Sequence, residues 1–567
     1  MRIRASAISI GLLISSLAAC SKAPSTPNHT QGASREKPAP TPSGDILPVE
    51  TAPPVALTFA TAFPRLTRLQ WENSVRDVLL LSAQPNLSSL FPSDPQNSFF
   101  ANDGNSLIVS ADLWQSYIKA AETMAERIGA DKNLVAKLVP AEAASLTGDA
   151  KAIAIITPLA TRAFRRPPSA TQMTRLLAVY NNGLKTTDKK DAVAAGLQSL
   201  VHMLLQSPFF LYRVELGKEK VDLATLTAWE VASRLSYAAW GSIPDAALFA
   251  SAKSGEILTD EGLQKQAKRL MNDPKADANL IHFYKKIFGT DSYADVVKKD
   301  PSIIKSWPDD MGKTLVQEAN LFIDEVIIKE NGGLNQLLNA NFAFVNSQTA
   351  PIYKVAIPAG NDFVKTTLDP KERIGILTQV GFLARRALEK ESSAIRRGVL
   401  VSDKLLCADI TGNVPAILPK LPAPTGTKTS RDIVNEKSGP GTCGAACHAE
   451  FINPSGFAFE NFDAAGNFRT LDNAQPVNAG ATLTLTTGKL TYEGPQDFIK
   501  KISESKDLHE CMVQKAVGLL YGRVLDKEDA TLVRNVASHS AANLSTRELF
   551  IELLTDSRIN LRGNKGK

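Results

Sequence analysis

From about residue 60 onward, apolar residues recur at three- and four-residue intervals, the spacing that gathers them on one face of an α-helix. Three of these runs carry their own start signal. Thr67-Arg68-Leu69-Gln70 opens a face of Trp71, Val75, Val78 and Leu79. Ser169-Ala170-Thr171-Gln172 follows Pro167-Pro168 and leads into Met173, Leu176, Leu177 and Tyr180, and Thr227-Ala228-Trp229-Glu230 leads into Val231, Leu235 and Tyr237. A hydroxyl and, three residues later, a Glu or Gln satisfy the first free backbone donors, so each run predicts a helix N-terminus. Leu197 to Leu205 continues the pattern up to Pro208, which stops or kinks it. Leu315 to Ile328, Ile374 to Leu388, Cys511 to Leu520 and Arg547 to Leu554 also read as helices. Near 476–494 the period falls to two: Val477, Ala479, Ala481, Leu483, Leu485, Leu490 and Tyr492 alternate with Thr-rich polar positions, punctuated by Gly480, Gly488 and Gly494. That pattern predicts a small β-hairpin, followed by a helix from Pro495 through Ile502. The expected fold class is mainly α, a multi-helix composite body with one hairpin, and no fixed-period repeat points to a solenoid.

The N-terminus has a different character. Arg2 and Arg4 precede a short apolar run, Ile8 to Leu17, too short to span a bilayer. It ends in Leu17-Ala18-Ala19-Cys20, which resembles the bacterial lipobox; that resemblance implies a signal peptide over 1–19 and a lipid on Cys20, against an ordinary signal peptide that contains a cysteine. Ser21 rather than Asp follows, which by the same resemblance implies the outer membrane. Residues 20–55 hold eight prolines between Pro24 and Pro54 among many Ser and Thr, a composition that cannot bury enough apolar surface to offset its ordering entropy, so an extended tether is expected. No later run is long and apolar enough to cross a membrane. A net charge of +6 is small for 567 residues, and without a dense basic patch a nucleic-acid partner is not expected.

A series of short segments carries a wider resemblance. In order they are Arg65-Leu66-Thr67-Arg68 through Leu79, Ala163-Phe164-Arg165-Arg166-Pro167, Leu204 through Arg213, Ala232-Ser233-Arg234-Leu235-Ser236-Tyr237 with Trp240 through Asp245, Arg373 through Thr378, Arg397-Gly398-Val399-Leu400 before Cys407, Cys447-His448 with Asn453-Pro454 and Phe459-Glu460-Asn461-Phe462-Asp463, and Cys511 with Tyr521-Gly522-Arg523. In this order the chain resembles the large uncharacterised cytochrome-c-like exported proteins of planctomycetes and myxobacteria, built from domains of unknown function in fixed order. The resemblance implies helical domains over 56–148, 149–220 and 221–360, a cytochrome-c-like domain over 361–475, and a hairpin with C-terminal helices over 476–567. It also implies one covalent haem c at the Cys-His segment.

The residues themselves leave alternatives. Haem c is held by two cysteine thioethers and an adjacent histidine, usually spaced C-x-x-C-H. Here Cys443, Cys447 and His448 form C-x-x-x-C-H, with Gly444 and two alanines as the spacer. His448 is then the proximal iron ligand. A disulfide and a zinc site compete for the same residues. If haem takes Cys443 and Cys447, then Cys407 and Cys511 remain as a disulfide pair or as two free thiols; four cysteines allow three pairings. Met512, His509, Met203 and His202 are candidates for the sixth iron ligand. Phe457, Phe459 and Phe462 form either a wall against a porphyrin or plain core. Glu460 and Asp463 either pair with Arg469 and hold the loop or act as general acid and base. Phosphate-loop, H-E-x-x-H and G-x-S-x-G motifs are absent. The expected function is an envelope lipoprotein with a covalent haem, transferring electrons to or from an unidentified protein partner. The alternative is a non-enzymatic surface binding or scaffold lipoprotein whose cysteines form disulfides.

Overall fold

The computed structural model describes residues 63–563 except 96–98, 101, 105, 187–191, 219–222, 361, 411–426, 443–447, 524 and 526–528. The signal peptide, Cys20, the tether, Cys443 and Cys447 therefore lie outside the described residues. The fold is mainly helical with a few two-stranded antiparallel sheets.

Helices begin where the local chemistry says they should. Thr67, Ser169 and Thr227 each close a reciprocal capping box, opening helices Arg68–Val78, Ala170–Gly183 and Ala228–Trp240. A further box at Ser545 with Glu548, not singled out in the sequence, starts Thr546–Thr555. Helix Ala192–Gln206 stops before Pro208, which opens the next short helix, Pro208–Leu211, where its missing N–H costs nothing.

Two apolar cores organise the body. The first gathers Leu66, Trp71, Tyr117, Leu159, Leu204 and Phe210 from helices between residues 66 and 243. The second runs from Phe100 to Ile559 and merges residues 226–406 with 458–559. Phe550, for example, packs edge-on against Phe283 at 5.4 Å. Strand Leu223–Thr225 pairs with Leu561–Gly563, and Arg234 donates to the carbonyls of Ile559 (2.7 Å) and Leu561 (2.9 Å) while pairing with Glu215. The hairpin expected near 476–494 is Ala481–Leu485 paired with Gly488–Tyr492. Its Thr486-Thr487 turn is held by the Asp507 carboxylate, which accepts from Thr486 N (2.7 Å) and from both hydroxyls.

Two expected helices are interrupted. Met311–Ile323 widens into π-helical turns over Asp324–Lys329. Ile374 to Leu388 is broken into a 3₁₀ turn, Ile376–Thr378, and a helix, Val380–Arg385, separated by extended Gln379. The start of the expected helix is displaced by Gly375, whose φ of +59° is not helical and where a side chain would lie 1.9 Å from the Leu338 carbonyl oxygen. Nearby, buried Glu318 accepts a hydrogen bond from the Tyr353 hydroxyl, whose oxygen in turn accepts from Val380 N at 3.0 Å. Burial raises the Glu318 carboxyl to about 8. Among the described residues, no helix is long and apolar enough to cross a membrane.

Candidate functional site

His448 opens a π-helical turn, His448–Ile452, that runs straight into the short helix Asn453–Phe457. Pro454 occupies the first turn of that helix, where no N–H is needed. The segment is wedged against helix Ala394–Val399 at two glycines. A Cβ at Gly398 would lie 1.9 Å from the Ile452 carbonyl oxygen, and one at Gly456 would lie 1.9 Å from that of Ala394. Ser402, in the π-helical turn Leu400–Leu405 that continues helix Ala394–Val399, adds to the contact, donating to Phe451 O (3.2 Å) and touching Ser455 Oγ (3.1 Å). The hairpin adds a third wall, because the Tyr492 hydroxyl donates to the Pro454 carbonyl.

The imidazole of His448 is oriented by Asn453, which is 1 % exposed. His448 Nδ1 lies 3.3 Å from Asn453 Oδ1. Asn453 Nδ2 donates to Ser438 O (3.3 Å) and Ser438 Oγ (3.2 Å), at the end of helix Ser430–Ser438. Those two bonds fix the amide so that its oxygen faces the ring. With Nδ1 protonated, the ring donates to Asn453 Oδ1 and the Nε2 lone pair has no partner among the described residues, an arrangement suited to a histidine that ligates a metal through Nε2.

Beyond the helix the chain is clamped rather than open. Arg397, fully buried, donates to the carbonyls of Phe459 (2.8 Å), Phe462 (2.9 Å), Asp463 (2.8 Å) and Leu383 (3.2 Å). Burial, partly offset by Glu460, lowers its guanidinium to about 10. Arg373 does the same for Thr378 O, Ile352 O and Gly466 O, with Tyr353 and Phe462 against its face. Phe459 and Phe462 pack on Phe382, Phe498 and Phe468 inside the main core, so they do not form a wall beside His448. Phe457 differs: it sits with Ala394 and Val434, under the Arg431 guanidinium at 4.2 Å.

The two carboxylates have separate structural tasks. Glu460 is buried against Ser392 and Arg469, and its carboxyl is raised by desolvation, opposed by Arg469 and Arg397. Asp463 accepts from Ala465 N (2.8 Å), Asn467 N (2.9 Å) and Asn467 Nδ2 (2.8 Å), closing a turn. With both occupied by the chain's own donors, they do not form an acid–base pair across a cleft.

Cys407 and Cys511 are joined by a disulfide, with Cα atoms 5.4 Å apart. That bond takes both other cysteines from a zinc site and leaves Cys443, Cys447 and His448, three of the four ligands a structural zinc needs. Of the sixth-ligand candidates, His509 has both ring nitrogens engaged, with Ser540 Oγ (2.8 Å) and Ser503 O (2.9 Å). Met512 is in the main core, and Met203 packs on the first core with exposed His202 beside it. Asn453, Ser438 and Gly398 were not readable as site residues. Asn453 carries the one available signal, an amide five residues after His448, which places it within reach only once the intervening turn is known.

Four family models match the chain in succession. They are PSD3, Protein of unknown function (DUF1587), over residues 65–130; PSD5, Protein of unknown function (DUF1595), over 151–215; PSD4, Protein of unknown function (DUF1592), over 226–355; and PSCyt3, Protein of unknown function (DUF1588), over 373–472. The last contains the Cys443–His448 motif, Asn453 and both arginine clamps. No curated protein and no solved structure matches the chain.

Proposed function

We propose that this chain, which carries the PSD3, PSD5, PSD4 and PSCyt3 domains in the order of the cytochrome-c-like multi-domain proteins, is a lipid-anchored redox module with one covalent haem c. The observation that carries the reading is the bond between His448 Nδ1 and buried Asn453. It fits a haem: an imidazole held by a second residue, with Nε2 open, is how a protein prepares an axial ligand. Cys443 and Cys447 would supply the thioether bonds and His448 the iron ligand. When bound, the group supplies one-electron exchange. The chain's own part is to hold the ring: Ser438 fixes Asn453, Asn453 fixes the His448 tautomer, and the glycine contact with Ala394–Val399 fixes the turn. The remaining elements of the reading are a lipid on Cys20, a tether over 20–55, an outer-membrane address and an unidentified redox partner protein.

The test is the protein taken from native membranes of a host with haem-maturation machinery. The expected result is a c-type reduced-minus-oxidised spectrum and an intact mass increased by one haem, mapped to Cys443 and Cys447. Natively matured protein with unmodified cysteines there overturns the reading. It would favour a surface binding or scaffold lipoprotein, the reading that the Cys407–Cys511 disulfide already suits.

A further inference from the structure

We infer that the Cys407–Cys511 disulfide is a thiol-exchange site for a small anionic thiol, with Cys407 the sulfur attacked and Cys511 the leaving group. The two sulfurs are unequal. Cys511 lies inside helix Lys506–Tyr521 and is 1 % exposed, whereas Cys407 is exposed and lines a hollow of about 390 Å³. That volume falls within the ~300–1,000 Å³ range of small-molecule sites. Phe99, Phe100, Asn102, Lys515 and Gly518 line it with Cys407. Lys515 stands one helical turn after Cys511, on the same face of the helix. Its ammonium lies 4.1 Å from the Phe99 ring and pairs with no carboxylate among the described residues; Lys404 meets the same ring at 5.0 Å. Asp103 is the acid at the hollow, and Arg523 there is committed to Asp529. Lys404 is paired with Asp403 at 2.6 Å, so Lys515 is the cation at the hollow without a carboxylate in contact, and it favours an anion. Burial first, and then Lys404, lowers the Lys515 ammonium to about 8, with Asp403 opposing.

Exchange proceeds by displacement. An incoming thiolate attacks Cys407 Sγ and forms a new S–S bond to it. The Cys407–Cys511 bond breaks, and its electron pair leaves on Cys511 as a thiolate facing Lys515. A second thiolate then attacks the external sulfur of the mixed disulfide, releasing an oxidised thiol dimer and the Cys407 thiolate. Two thiols are oxidised to one disulfide, and the protein disulfide is reduced to two thiols. Attack falls on the accessible sulfur, and a nearby cation favours the departing thiolate.

The full-length folded protein, incubated with reduced glutathione and then alkylated, tests this by peptide mapping. Expected are a glutathione adduct on Cys407, alkylated Cys511, and slower reaction with cysteamine, a cationic thiol, at equal thiolate concentration. Adducts at Cys443 or Cys447 are mapped separately. Lys515→Met slows the glutathione reaction on the order of tenfold, and Lys515→Arg restores it. A disulfide that stays closed until denaturant unfolds the protein overturns the inference. So does an adduct on Cys511, equal rates for the two thiols, or a Lys515→Met rate equal to wild type.

Discussion

Gly398→Ala places a methyl group where the Ile452 carbonyl oxygen already stands. The Cβ–oxygen separation would be 1.9 Å, against about 3.3 Å for a close carbon–oxygen contact. Helix Ala394–Val399 and the His448–Phe457 segment must therefore part by about 1.4 Å at this point. Overpacking of this kind costs roughly 1–3 kcal/mol. Opening the pair also stretches the Ser402 contacts to Phe451 O and Ser455 Oγ, at about 1 kcal/mol each. Against this, alanine is about 1 kcal/mol better than glycine within a helix. The net expectation is a loss of about 2–4 kcal/mol. The same substitution at Gly518, inside helix Lys506–Tyr521, has the opposite sign: its Cβ would meet only Arg523 O, at 3.8 Å, so Gly518→Ala gains about 0.5–1 kcal/mol. Guanidinium unfolding of both variants, followed by circular dichroism, reads the contrast. If Gly398→Ala is as stable as wild type, or Gly518→Ala is the more damaging, the close-approach argument fails.

Three further outcomes are expected. The Cys407→Ser/Cys511→Ser variant should lose about 5 kcal/mol from freeing a loop of 104 residues in the unfolded chain, measured by the shift in denaturation midpoint; an unchanged midpoint refutes the entropic account. Between about pH 4.5 and pH 8, Glu318 keeps a proton in the folded protein that the unfolded chain has lost, so stability is highest below that window and falls by about 5 kcal/mol as pH rises through it. Glu318→Gln should remove that slope and be the more stable protein at pH 8, which unfolding at several pH values will check. Arg397→Met leaves four carbonyls without their donor and should cost about 3–5 kcal/mol in chemical denaturation, and Arg397→Lys should recover only part because one ammonium cannot span four acceptors.

What was legible in the sequence was local. The capping boxes at Thr67, Ser169 and Thr227 use partners three residues apart, so the sequence holds both halves of each interaction. The hairpin was readable for the same reason: its alternation and Gly488 lie within one short stretch. The displaced start at Gly375 was not, because the carbonyl that crowds it belongs to Leu338, which nothing nearby announces. The arginines show the same limit. Arg165, Arg234, Arg373 and Arg397 were visible as members of recurring strings, but each acts by donating to backbone carbonyls, and a carbonyl has no residue identity to read. At the candidate site, the Cys-His spacing named His448, while Asn453 became legible only when the π-helical turn folded the chain back within hydrogen-bond reach.

The pairing of Leu223–Thr225 with Leu561–Gly563 has a kinetic consequence. Arg234 waits for carbonyl partners that lie 325 and 327 residues further along the chain. A polypeptide leaving the ribosome must therefore hold that guanidinium and its strand edge unsatisfied while more than three hundred residues are still being added. Seams of such long sequence separation close late and slowly. During that interval the exposed edge invites association with other chains, so this protein is expected to need a holding factor during synthesis.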